Sequence, residues 1–218
     1  MKYRPLMVLI SVWFIAVFCL AGLGLFKLRW GNAPAGVGLA FALPLLAFAG
    51  VFFFSRPVRN HLSGLSPVLL VSLHGWRFVG LGFVMAYYRG LLPPAFAWPA
   101  GLGDIAAAAA APYLAYSLSE DKEWIRSRWF LAWNIFGLVD LLSAVGLGVA
   151  HQMAPHFFHA SVSTGLMQEM PFVLIPCYFV PLLVMTHLVM LDQSAQVSQR
   201  GFSEEAIPRA TGGRLAGA

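Results

Sequence analysis

The chain has 218 residues, of which 59% are hydrophobic and only 11% charged, with a formal net charge of +5. A mean hydropathy of +0.74 excludes an ordinary soluble domain. The basic balance and the pI near 9.6 need no nucleic acid, because Lys and Arg on the cytoplasmic side of a membrane face anionic lipid.

Stretches at about 6–26, 35–54, 66–88, 92–118, 126–150 and 170–191 approach the roughly 20 apolar residues needed to cross ~30 Å of hydrocarbon. The expected fold is therefore all-α: a polytopic membrane protein built as a bundle of six transmembrane helices. Residues 1–192 form the bundle, and 193–218, rich in Gly, Ala, Ser and Gln, read as a disordered cytoplasmic tail. With the N-terminus inside, Lys2, Arg4, Arg56, Arg59, Lys122, Arg126, Arg128, Arg200, Arg209 and Arg214 are cytoplasmic, and only Lys27, Arg29 and Arg89 are outside. That bias predicts a multi-pass protein of the cytoplasmic membrane with both termini cytoplasmic.

Lys2 and Arg4 before an apolar run resemble a secretion signal. The run is as long as a full span, so it reads as an uncleaved helix. The first two spans carry no charged residue and read as lipid-facing scaffold, the second bent at Pro44. The third span contains His74 and Arg77 in the segment HGWR.

The start of the fourth span, LLPPAFAWPAGLGD, has Pro93, Pro94, Pro99, Gly101 and Gly103 ahead of Asp104 and an alanine run. Two readings stay open: a discontinuous span with Asp104 capping a helix near mid-membrane, or a Pro-rich interfacial stretch leading into an ordinary helix. The fifth span carries Asn134, Asp140 and Ser143. The connection after it carries His151, His156 and His159, and the sixth span has Pro171, Pro176 and Pro181 with His187. Gly-Leu-Gly triplets at Gly22, Gly80, Gly101 and Gly146 lie in the outer halves of their helices, which predicts tight packing there and a wider cytoplasmic half.

Counted at about 1.5 Å per residue, Arg77, Asp104 and Asp140 fall within a few ångströms of the same depth. Ionisable groups at bilayer depth cost roughly 2.5–3.5 kcal/mol each on insertion scales, so they pair and mark working sites. An arginine between two carboxylates leaves a net charge of −1, so one acid keeps a proton or a second cation completes the set. His74, three residues from Arg77, is the natural partner. A polar path toward the cytoplasm then runs through His74 and Asn134 to His187.

Against this stands a purely structural ion-pair network that locks three helices together. The loop histidines, at spacings of five and three, fix no ligand geometry, so no metal site is assigned. His74 and His187 as axial ligands of a haem form a further alternative, and the cofactor is otherwise unknown. Cys19 and Cys177 fall inside spans and form no Cys-x-x-Cys pattern. No Gly-x-Ser-x-Gly, His-Glu-x-x-His, P-loop or dinucleotide fingerprint occurs.

The leading expectation is a membrane protein that binds or moves a small solute or proton through Arg77, Asp104, Asp140, His74, Asn134 and His187. Its partners are lipid and a small-molecule or proton ligand. The alternatives are an intramembrane enzyme acting on a lipid-soluble substrate, with His74 and an Asp as acid and base, and an accessory subunit of a membrane complex.

Overall fold

Proline and serine set most of the helix starts. Pro57, Pro67 and Pro94 each open a helix, where a missing N–H costs nothing. The Ser66 and Ser127 hydroxyls accept bonds from Leu69 and Phe130 N–H at the first turns. In the computed structural model, which describes residues 3–158 and 161–205, these starts give an all-α membrane protein. The helices are α1 (Arg4–Gly22), α2 (Ala35–Phe54), α3 (Arg56–Ser63), α4 (Pro67–Leu73), α5 (Gly80–Tyr88), α6 (Pro94–Glu120), α7 (Arg128–Met153) and α8 (Val180–Glu205). Gly90, at φ 69°, ends α5 in a Schellman turn: its own N–H bonds to the Tyr87 carbonyl, and the Leu91 N–H bonds to the Ala86 carbonyl.

Five segments are long and apolar enough to span a membrane: Arg4–Gly22, Ala35–Phe54, Pro67–Tyr88, Arg128–Met153 and Ile175–Gln199. Helix α6 has the length, but Pro99, Pro112, Gly101, Gly103 and Asp104 make it less apolar than these. It is instead the central helix, packed against α4, α5 and α7 through a face of Ala97, Ala100, Ala107, Ala108 and Ala111. Helices α1 and α2 are peripheral: Val17 is the buried residue of α1, and Gly36, Val37 and Phe52 those of α2.

The break in helical winding is not in the fourth span. Helix α6 runs unbroken from Pro94 through Asp104, so Asp104 is an interior residue and not a cap. Pro94 sits at the helix start and Pro99 one turn later, where the lost N–H bonds are few. Two other spans change pitch. Residues His74–Val79 form a 3₁₀ segment between α4 and α5, and Ile175–Phe179 form a π-helical segment leading into α8. Both are forms that recur at functional sites.

Helix α8 also runs through the expected boundary at 192 to Glu205, where the polar composition had read as tail. Its polar residues at 192–196 have partners. Gln193 donates to the Ser63 and Leu65 carbonyls, Ser194 to the Ile125 carbonyl, and Gln196 to Asp192 at 2.7 Å. Asp192 in turn accepts from Arg59 and Ser63 of α3. The tail beyond Glu205 lies outside the described residues.

Candidate functional site

The 3₁₀ segment explains why HGWR points its polar residues one way. At three residues per turn, side chains i and i+3 eclipse. His74 and Arg77 therefore share a face and are buried, while Trp76 and Phe78 turn outward. The next residue along, Gly80, meets α6 backbone to backbone. A Cβ there would lie 2.6 Å from Asp104 Cβ and 2.7 Å from the Gly101 carbonyl oxygen.

Arg77, at 1% exposure, uses all three of its guanidinium nitrogens. Nε donates to Asp104 Oδ1 at 2.7 Å, Nη1 to the Gly137 carbonyl at 3.4 Å, and Nη2 to Asp140 Oδ2. The planar fork suits this, since each edge addresses a different helix. Glycines again make the room. A Cβ on Gly103 would strike the Asp140 carboxylate, and one on Gly137 would strike His187 Nε2 and stand 3.0 Å from Arg77 Nη1. One guanidinium thus stands against two carboxylates, and no other Lys or Arg side chain pairs with either of them among the described residues.

His74 and His187 lie beside this cluster. The Thr186 hydroxyl gives its hydrogen to the Leu183 carbonyl at 2.7 Å, so it accepts from His74 Nε2 at 3.0 Å. The Asn134 amide donates to the Phe130 carbonyl at 2.9 Å, so its oxygen accepts from His187 Nδ1 at 3.0 Å. Each ring thereby carries a hydrogen on the bonded nitrogen. The remaining nitrogens, His74 Nδ1 and His187 Nε2, are buried without a partner among the described residues.

The rings touch, with centroids 4.2 Å apart, and both pack on Trp133. Direct contact leaves no space for a porphyrin between them, so the residues do not fit a bis-histidine haem. Nor do they form the ladder toward the cytoplasm that their sequence depths had suggested: His187 is level with His74. Thr186 and Trp133 were missed in the sequence, because a threonine and a tryptophan in an apolar span carry no signal of their own. Ser143 turns away and donates to the Asp140 backbone carbonyl.

A cavity of about 50 Å³ opens on the other side of Arg77, toward the 151–170 connection, with Asp104 at its floor. Phe83, Phe96, Leu141, Met167, Ile175 and Val180 wall it, and Gln152 and Gln168, joined at 3.1 Å, stand at its far end. Val37 of α2 also lines it, so the second span is not scaffold alone. The half of the bundle expected to be tight is the one that holds the cavity. Only part of the glycine pattern is used in packing: Gly80 and Gly101 meet backbone, while Gly22, Gly82 and Gly146 have open space beside them. The opposite half is filled by Phe52, Leu70, Leu114, Phe130, Trp133 and Met190.

A family model described as Domain of unknown function (DUF8737) matches residues 34–193. The chain belongs to that family. The matched region takes in Arg77, both carboxylates, His74, His187 and the whole cavity lining, and leaves out α1. No characterised protein and no solved structure matches the chain. Among the described residues no group of three or more His, Cys, Asp or Glu side chains could hold a metal ion. His151 stacks on Phe158 and bonds to the Leu147 carbonyl, His156 lies against Phe157, and His159 is outside the described residues.

Proposed function

We propose that this protein binds and moves a small solute across the cytoplasmic membrane, exchanging it against a proton held by the Arg77, Asp104 and Asp140 cluster. The observation that carries the reading is the pairing of a charge imbalance with access. One guanidinium faces two carboxylates, and Asp104, which bears one of them, lines a cavity. A buried surplus charge is costly unless neutralised. A proton or a bound ligand can supply the missing positive charge, which links the occupancy of one to that of the other. Six spans with both termini cytoplasmic belong to the same proposal: α6 is the sixth, and the basic residues of α3 and of the 122–128 turn lie on the inside. The cavity then faces outward and the filled half faces the cytoplasm.

An enzyme with His74 as its base has less in its favour. His74 is fully buried, and the cavity lining does not include it.

The test is proteoliposomes loaded with a pH indicator and challenged with small cationic, neutral and anionic solutes. One charge class should drive a change of internal pH in wild type. Asp140→Asn should weaken that response by about tenfold, equal to about 1.4 kcal/mol, and flatten its dependence on external pH while leaving membrane abundance near normal. If no class moves protons, or if the variant only lowers the amount of folded protein, the transport reading is wrong.

A further inference from the structure

We infer that the solute is a small organic cation, an alkylammonium held in the cavity with Asp104 as its counter-ion. This rests on the solute-binding reading above and names its substrate class. Three observations point the same way. First, Arg77 is the one hydrogen-bond partner of the Asp104 side chain among the described residues, and it occupies Oδ1. Asp104 lines the cavity, and the cluster to which it belongs is short of one positive charge. An anion would add to the surplus negative charge.

Second, the walls next to Asp104 are aromatic and aliphatic. Phe83 and Phe96, both buried, line the cavity with their centroids 5.6 Å apart. Phenyl faces attract an alkylammonium head and pack against its body. A bare divalent metal ion is disfavoured, because calcium and magnesium want about six or more oxygen ligands, and here the glutamine oxygens stand at the far end from the carboxylate.

Third, size limits the class. At about 10–15 Å³ per water, a 50 Å³ cavity holds the equivalent of about three to five waters, so the solute is a compact amine and not a lipid or a polyamine.

The exchange balances simply. The ammonium enters with its charge and pairs with the Asp104 carboxylate. The proton that had neutralised the cluster leaves, and no covalent bond to carbon is made or broken. Cation and proton therefore compete, and where the cluster is protonated the apparent Kd rises about tenfold for each unit of pH lowered.

The test uses the full chain in nanodiscs and calorimetric titration with isobutylammonium, tetramethylammonium, isobutanol and isobutyrate. Both cations should bind and exclude each other, isobutanol should bind at least about tenfold more weakly, and isobutyrate should not bind. Isobutylammonium binding should release close to one proton, read as a buffer-dependent heat. Asp104→Asn should abolish binding. Because that variant also disturbs the Arg77 pairing, Ala144→Phe, which fills the cavity from α7 and leaves every residue of the cluster unchanged, should abolish it independently. Equal or tighter binding of isobutanol or isobutyrate, lost in Ala144→Phe, would overturn the cation class and leave solute binding standing. Failure of both cations to bind overturns the inference outright. The solute reading falls with it only if the wider panel in proteoliposomes is silent too.

Discussion

Arg77 divides the bundle into two halves that use similar residues to opposite effect. Toward the 151–170 connection, Phe83, Phe96 and Met167 wall a cavity that Asp104 also lines. On the other side, His74, His187 and Trp133 close ring against ring, and Asn134 and Thr186 take up their donor hydrogens. Polar residues at membrane depth are therefore no guide to where a ligand can go. The half richer in polar side chains is the sealed one, because each hydrogen-bond partner it carries also fills volume. The accessible half has one charge and mostly hydrocarbon.

The strongest way to break this contrast is to remove the residue between the halves. Arg77→Ala leaves two carboxylates with no cation, and truncating one partner of a buried pair costs about 3–5 kcal/mol. The variant should unfold at markedly lower temperature in detergent, and Arg77→Lys should recover only part of the loss, since a lysine cannot address Asp104, Asp140 and the Gly137 carbonyl at once.

Gly137→Ala tests the packed side alone. Its Cβ would strike His187 and crowd Arg77, so a cost of about 3 kcal/mol, the upper end for overpacking, is expected in thermal unfolding. A neutral result would mean that the sealed half has slack. Asn134→Ala sharpens the comparison with the smallest effect. It strands the His187 Nδ1–H and should cost about 1–2 kcal/mol, while solute affinity in titration stays within about twofold of wild type. A large loss of affinity from Asn134→Ala would put the histidine side on the solute route after all.

The charged trio was legible because apolar spans make an ionisable residue conspicuous and because depth can be counted along a helix. What resisted reading was pitch and proximity. Prolines 93, 94 and 99 drew attention to the fourth span, yet a proline at or near a helix start breaks few bonds. Of the two real changes of winding, the one over Ile175–Phe179 contains Pro176, but the one over His74–Val79 contains no proline. It goes with a tertiary contact, the backbone approach of Gly80 to Gly101, which no local pattern announces. His187 was displaced in the sequence reading because its depth was counted from an uncertain span end. The end of α8 was lost because glutamine and serine runs look unstructured until their partners, on α3 and in the turn before α7, are known.

The 3₁₀ segment also acts as a screw thread. Six residues wound at three per turn instead of 3.6 advance the chain by about 120° more rotation and about 3 Å more length than an unbroken α-helix. The angular position and height of α5 relative to α4 are thus set by how those six residues are wound. Rewinding them to α with α4 held still would turn α5 by a third of a revolution and retract it, lifting Gly80 off Gly101 and swinging Phe83 out of the cavity wall. One local change in helical pitch is enough to dismantle the wall beside Asp104 while α6 and α7, the helices that carry the carboxylates, stay where they are.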